Sequence, residues 1–368
     1  MLLLKSALVA SCLVSSGLAA ANDYIGFNSG ARKDDNSIKE EKDYRDEFLA
    51  AKSLPGTDGK FTAVRLFTCL KPESKDELLP AFAAAVETNT SMLLGIWTSG
   101  TKSIDNEIKG LKRAIEKWGD KFTKLVVGMS IGSEDLYRAS EDGVKNKAGI
   151  GNSVENIIGF VEKYRKEMND TPLARVPVGH VDVWKVWRNQ SNKALADTLD
   201  FVGLDAYAYY ENDLDNTITN ASALFDMSFN ATRGTVGADK PIWITEIGWP
   251  SSGPDWGKGV SSVKNAKYFW DEVGCRKLFN KMPTFWYILR DSNPDNKMKF
   301  AVAEKGNLNK PVFDLSCPAG SDSGFDSNAA ARSGPPDVDI RGAAALPSAP
   351  AGILYTTLFL VVGLLAWA

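Results

Sequence analysis

Two glutamates stand out by what surrounds them. Glu246 ends the apolar run Trp243-Ile244-Thr245 and is followed by Ile247-Gly248-Trp249-Pro250, a sharp turn that carries a large ring beside a carboxylate. Glu134 closes Val127-Gly128-Met129-Ser130-Ile131-Gly132-Ser133-Glu134, where a glycine allows close backbone approach and a serine can donate a hydrogen bond. An ordinary glutamate is an exposed, solvated acid; these two follow apolar runs instead. Two carboxyls in different environments supply what cleavage of a glycosidic bond requires. One hands a proton to the departing oxygen, and the other meets the developing oxocarbenium centre as an anion. At a separation of about 5 to 5.5 Å the anion attacks directly, through a covalent glycosyl-enzyme, and the anomeric configuration is retained.

Other chemistries find less material. His180 is the only histidine, so a histidine-based metal cluster or a Ser/His/Asp triad would have to rest on it, and no cysteine pair has zinc-ligand spacing. No cofactor is expected. His180 is read either as an orienting group in a cleft or as a satisfied core histidine. With 43 Lys and Arg against 46 Asp and Glu and no long block of like charge, nucleic acid is not an expected partner. Ten Trp, ten Tyr and seventeen Phe are a generous supply of flat rings, which suit the faces of sugars. Tyr207, Tyr209 and Trp249 are assigned to sugar faces, and Trp97 and Trp286 either to sugar or to the core. Asn28 is assigned to a sugar hydroxyl; Asp291 is either a substrate ligand or a solvated loop acid.

These residues need a frame. Eight short apolar, β-branched runs are read as strands: 24–28, 63–68, 92–97, 125–131, 176–181, 201–204, 242–245 and 284–287. Between them, stretches such as 39–52, 75–87, 104–118, 154–167 and 263–280 repeat apolar residues at three- and four-residue steps, as amphipathic helices do. Eight strand and helix units in one span predict a (β/α)8 TIM barrel, a single catalytic domain at 22–318. An open doubly wound sheet is the alternative, but no Gly-rich phosphate loop follows the first strand. In such a barrel chemistry sits at the C-terminal strand ends, where Glu134 and Glu246 fall after the fourth and seventh runs.

Both ends of the chain read as targeting signals. Residues 1–21 run from a charged start through an apolar stretch to Leu18-Ala19-Ala20-Ala21, the order of a cleavable signal peptide. A polar linker at 319–342 precedes the uncharged apolar run 353–368, the layout of a GPI-attachment signal with Gly342 as attachment residue and 343–368 removed. The alternatives are a retained membrane helix or attachment at Asn328, and the C-terminal tail is expected to be disordered. Secretion leaves Cys69, Cys275 and Cys317. Cys275 is paired with Cys317, which closes the folded region, and Cys69 is expected to be a buried free thiol. Glycan acceptor sequences occur at Asn89, Asn169, Asn189, Asn220 and Asn230. A cell-surface monomer is expected, held at the membrane by its lipid.

At the motifs quoted, the chain resembles glycoside hydrolase family 17, and more closely its fungal GPI-anchored endo-β-1,3-glucanase branch. Thr245-Glu246-Ile247-Gly248-Trp249-Pro250-Ser251 is similar to the family's nucleophile signature, and Gly132-Ser133-Glu134 to its acid/base motif. Tyr24-Ile25-Gly26-Phe27-Asn28, Val64-Arg65-Leu66, Gly203-Leu204-Asp205-Ala206-Tyr207 and Phe285-Trp286-Tyr287 look like family strand motifs in the same order. The resemblance implies Glu134 as acid/base, Glu246 as nucleophile, retention of configuration and β-1,3-glucan as substrate. Where many clan members carry Asn before the acid/base, this chain has Ser133, expected to partner the sugar 2-hydroxyl at shorter reach. Tyr207-Ala208-Tyr209 stands where the family often shows Tyr-Pro-Tyr. A glucanosyltransferase would use the same residues, and a non-catalytic glucan-binding wall protein would have no need of both acids.

Overall fold

A computed structural model of the chain describes residues 24–321; the expected signal peptide, the attachment signal with Gly342 and nearly all of the linker lie outside the described residues. Eight parallel strands close into a barrel in chain order. They are β1 (Ile25–Asn28), β2 (Ala63–Arg65), β3 (Ser91–Ile96), β4 (Val126–Ser133), β5 (Val178–Val183), β6 (Phe201–Ala206), β7 (Ile242–Ile247) and β8 (Thr284–Trp286), with β8 pairing back onto β1. Helices between the strands cover the outside, so this is the (β/α)8 barrel that the alternation predicted. Helix Asp105–Trp118 shows the rule: Ile108, Leu111 and Ala114 recur at three-residue steps and are buried against the sheet.

The departures have local causes. β4 to β7 each run two residues past the apolar signal, because Ser133, Asp182, Asp205 and Glu246 are polar yet remain in the strands. The helix expected at 75–87 begins only at Ala81, after Pro80, which has no N–H to contribute to a preceding turn. The segment 263–280 is an α-helix over Val263–Phe269 and a π-helix over Trp270–Leu278. A short antiparallel pair, β9 (Ala303–Glu304) and β10 (Asn307–Pro311), was not read from the sequence.

Inside the barrel the side chains form two layers of opposite character. The lower is an apolar plug of Ala63, Leu93, Phe201, Trp243 and Phe285, with Phe201 and Trp243 stacked at 4.1 Å. Gly128 makes room for it, since a Cβ there would meet the Trp243 ring at 2.8 Å. Side chains two residues apart on a strand share a face, so Arg65 stands above Ala63 and Asp205 lies on the face of Phe201, two steps further along. The plug thus keeps water from beneath a charged upper layer at the C-terminal strand ends.

Cys275, in the π-helix, is bonded to Cys317 across 42 residues, and Trp270 Nε1 donates to Leu315 O at 3.0 Å beside it. The bridge therefore pins the last described segment to the barrel. Cys69 is free and buried. Closing a loop of this length restrains the unfolded chain by roughly 2–4 kcal/mol. Replacing both Cys275 and Cys317 by Ser is expected to lower the melting temperature by on the order of 5–10 °C, measurable by calorimetry. An unchanged melting temperature would show that the bridge carries no stability.

Candidate active site

Both glutamates reach the barrel mouth through a bulge. Along a regular strand Thr245 and Glu246 would point to opposite faces. The pairing of β6 with β7 passes from Leu204 opposite Ile244 to Asp205 opposite Glu246, which leaves Thr245 as an extra residue. Both side chains consequently serve the interior: Thr245 Oγ1 donates to Asp205 Oδ1 at 2.7 Å, while Glu246 meets Arg65. β4 has a second irregularity, between Ser130 opposite Gly179 and Ser133 opposite Val181. Gly132 sits within it at φ 83°, and a Cβ there would lie 2.4 Å from Asp135 Oδ2 and 2.5 Å from Thr98 Oγ1. Only glycine fits.

Glu134 itself is left-handed, at φ 55° and ψ 27°, a conformation that costs a non-glycine residue roughly 1–3 kcal/mol. Its neighbours hold it there. Asp135 Oδ2 accepts from the Ser133 N–H at 3.0 Å and from Thr98 Oγ1 at 2.8 Å, and Oδ1 from Ser99 and Asn152. Asp182 Oδ2 accepts from the Leu136 N–H at 3.0 Å. His180 braces this turn from below, with Nδ1 2.7 Å from Ile131 O and Nε2 3.3 Å from Asp182. Burial disfavours a charged His180, but the Asp182 carboxylate outweighs it and raises the imidazole's pKa. His180 is therefore a core histidine with both nitrogens engaged.

Arg65 is the hub, 1% exposed. One amino group donates to Glu246 Oε1 at 2.6 Å and to Asn28 Oδ1 at 2.9 Å; the other donates to Ser133 Oγ at 2.9 Å. Its plane lies 4.4 Å from the Phe67 ring centre. Burial alone would lower the guanidinium's pKa, but the Glu246 and Asp205 carboxylates prevail and raise it. Glu246 Oε2 accepts from the Tyr207 hydroxyl at 2.7 Å. Both oxygens of Glu246 thus have a donor, and charge-assisted bonds of this kind favour a carboxylate that accepts.

Glu134 has the opposite environment. It is 2% exposed, Oε2 stands 3.5 Å from Arg138, and Oε1 is buried without a hydrogen-bond partner. Burial pushes its pKa up to about 8; Arg138 works against the shift and the charge of Glu246 adds to it. The carboxyl therefore keeps its proton at neutrality while Glu246 is held as an acceptor, the division of labour that acid catalysis beside a nucleophile needs.

The cleft at Glu134 has a volume of about 170 Å3 and runs from the β4 turn to the loop after β7. Glu134, Asp205, Tyr207, Tyr210, Tyr137 and Trp256 line it. Of the rings nominated from sequence, only Tyr207 is among them, and its hydroxyl is occupied by Glu246. Tyr209 is fully buried, donates to Pro254 O at 2.5 Å and packs edge-on against Trp249 at 5.1 Å. Trp249 is 2% exposed and donates to Val260 O at 3.0 Å. Both brace the loop after β7 rather than face the cleft. Trp286 points outward, since its neighbour Phe285 fills the plug, and it packs against Trp270 at 4.8 Å. Trp97 keeps part of its ring exposed, 5.2 Å from the Arg138 guanidinium.

Asn28 lies under the site. Its amide donates to Thr245 O and Phe285 O, each at 3.0 Å, and its carbonyl accepts from Arg65, so nothing is left for a sugar. Ser133 orients Arg65. Asp291 accepts from the Phe300 N–H at 3.0 Å and ties the loop after β8. Sequence reasoning assigned no role to Arg65, Asp205, Tyr137, Tyr210 or Trp256. An inward charged residue on the same strand face as an apolar plug residue, two positions beyond Ala63 for Arg65 and four beyond Phe201 for Asp205, was the available signal; the loop residues offered none. Among the described residues no group of three or more His, Cys, Asp or Glu is arranged to hold a metal ion.

A family model described as the BtgE/BtgC glycoside hydrolase domain matches residues 26–305. The chain is 47% identical over 295 residues to the probable glucan endo-1,3-beta-glucosidase eglC of Aspergillus oryzae, covering 80% of this chain and 63% of that protein. It is 45% identical over 315 residues to the protein of the same name from Aspergillus fumigatus, covering 84% and 69%. The chain thus spans 63% and 69% of the length of these two relatives. In fold it is similar to a glycoside hydrolase family 17 beta-1,3-glucanosyltransferase from Rhizomucor miehei, with a TM-score of 0.61, 23% identity and coverage of 81% and 99%. It is also similar to CJP38, a beta-1,3-glucanase and allergen of Cryptomeria japonica pollen, with a TM-score of 0.59, 14% identity and coverage of 80% and 99%.

Two outcomes are expected of this geometry irrespective of substrate. In protein carrying 13C-labelled glutamate, two side-chain carboxyl resonances titrate late, Glu107 near pH 7 and a second near pH 8 that is missing from Glu134→Gln; titration below pH 6 of the resonance lost in Glu134→Gln would refute the assignment. Arg65→Ala leaves Glu246 buried without its cation and should destabilise by about 3–5 kcal/mol in urea unfolding, whereas an unchanged midpoint would remove Arg65 from the centre of the site.

Proposed function

The chain belongs to the BtgE/BtgC glycoside hydrolase family, and on that footing we propose that it is a retaining endo-1,3-β-glucanase acting on cell-wall β-glucan. One observation carries the reading: Glu134, a carboxyl whose pKa burial raises to about 8, lines the same cleft as Tyr207, whose hydroxyl binds the Glu246 carboxylate that Arg65 holds from the other side. The endo mode and the β-1,3 linkage come from the names of the curated relatives.

The two steps follow from the residues. Glu134 gives its proton to the glycosidic oxygen as a Glu246 oxygen attacks the anomeric carbon, so the bond to the departing chain breaks and an ester to Glu246 forms. Glu134, now a carboxylate, takes a proton from water; the water oxygen attacks the anomeric carbon and the ester bond breaks. Glu246 leaves as an anion in this second step, where Arg65 and Tyr207 receive it with donors already in place. Two inversions give net retention.

We also infer secretion and a lipid tether, on the order of segments in residues 1–21 and 319–368. Asn89, Asn169 and Asn189 are exposed and suit glycans. Asn220 is half-buried, with its amide on Asp215 O at 2.7 Å, and Asn230 is half-buried within helix Ala221–Val236, so both are poorer acceptors.

The test is incubation with linear β-1,3-glucan oligomers, following reducing ends, product lengths and the first anomer formed by NMR. Glu246→Gln is expected to release reducing ends roughly a thousand-fold more slowly than the parent, or slower still, the scale seen when a catalytic group is removed. The β-anomer should appear first. Equal rates would sink the nucleophile assignment, and the α-anomer would sink retention. Products longer than the substrate would point to a glucanosyltransferase, and binding without turnover to a glucan-binding wall protein.

A further inference from the structure

Asp205 has no part in the two-step chemistry, yet it stands in the reaction centre. It is opposite Glu246 in the β6–β7 register, 1% exposed, and lines the cleft together with Glu134 and Tyr207. Its Oδ1 accepts from Thr245 at 2.7 Å. Its Oδ2 is buried with no hydrogen-bond partner, although Arg65 is close enough for the two charges to interact. The Arg65 amino groups go to Glu246, Asn28 and Ser133 instead. An orphaned polar oxygen costs roughly 1–3 kcal/mol. Both oxygens of the neighbouring buried acids Asp135 and Asp182, by contrast, are satisfied within the protein.

Three further buried oxygens without a hydrogen-bond partner belong to residues of the same cleft, Glu134 Oε1, the Tyr210 hydroxyl and Glu211 Oε2, the last facing the Lys185 ammonium at 3.2 Å. Setting Glu211 aside, three buried polar atoms without partners at one cavity match a ligand dense in hydroxyl groups. We propose that Asp205 is a substrate-contact residue, whose Oδ2 hydrogen-bonds a ring hydroxyl of the sugar held between Glu134 and Glu246. This rests on the glycoside hydrolase reading and adds a third carboxyl to its sugar site. Burial and the neighbouring charge of Glu246 raise the Asp205 carboxyl well above the usual range. The shift is toward the protonated form, which can donate to a hydroxyl as well as accept from one.

The competing role is indirect, with Asp205 acting only through the charge of Glu246. A binding measurement in the Glu246→Gln background separates the two, because that background has no charge at position 246. Calorimetric titration with a linear β-1,3-gluco-oligosaccharide is expected to show binding by E246Q. Adding Asp205→Ala should weaken it roughly 10- to 100-fold, the scale of one lost hydrogen bond to a buried group. Adding Asp205→Asn, which keeps the Thr245 contact and offers an N–H donor, should leave it within a few-fold. Should the alanine variant fail to fold by its melting curve, Asp205→Ser is the substitute, since it cannot reach as far into the cleft. Equal affinity of E246Q with and without Asp205→Ala overturns the proposal and leaves the glycoside hydrolase reading standing. Absence of any binding by E246Q, together with no turnover by the parent, overturns that reading and this one with it.

Discussion

A guanidinium taken out of water must be met by acceptors, and a carboxylate taken out of water must be met by donors. Arg65 and Glu246 meet each other at 2.6 Å inside the barrel, and the rest of the site is arranged around that pair. Asn28 is spent on aligning Arg65 with the carbonyls of β7 and β8, Ser133 binds its second amino group, and Tyr207 takes the other oxygen of Glu246. β1, β2, β4, β7, β8 and the residue after β6 all contribute, so the pair exists only when the barrel has closed. The apolar plug beneath keeps the surroundings dry, which strengthens every one of these contacts.

The same dryness gives the second glutamate its different character. Glu134 is as buried as Glu246, but its closest cation is 3.5 Å away and one oxygen has no partner, so burial wins and the proton stays. Two chemically identical side chains are thereby divided by their hydrogen bonds. The left-handed turn at Glu134 is the cost of aiming it, and Gly132, Asp135, Asp182 and His180 are the residues that sustain it.

Aromatic residues illustrate how strand parity overrides residue type. Trp286, Trp249 and Tyr209 adjoin the strand ends in sequence, yet they pack outward or against the loop after β7. Tyr210, one residue beyond Tyr209, lines the cleft with Trp256. A shift of one position, invisible to composition, separates a core ring from one that lines the cleft.

The order of eight apolar runs and the amphipathic stretches between them determined the barrel, because periods of two and near 3.6 are properties of the local chain. The same local signals marked Glu134 and Glu246 as strand-end acids, and the position of Cys317 at the end of the folded region matched it to Cys275. Which face each side chain takes was left to the tertiary structure. The extra residue at Thr245 and the glycine at 132 reset the alternation just before each glutamate, and a register shift depends on the neighbouring strand, not on the strand itself. Arg65, Asp205, Tyr210 and Trp256 come together from distant segments, so their meeting is a property of closure. For the same reason only the closed barrel decides which of the two glutamates keeps its proton.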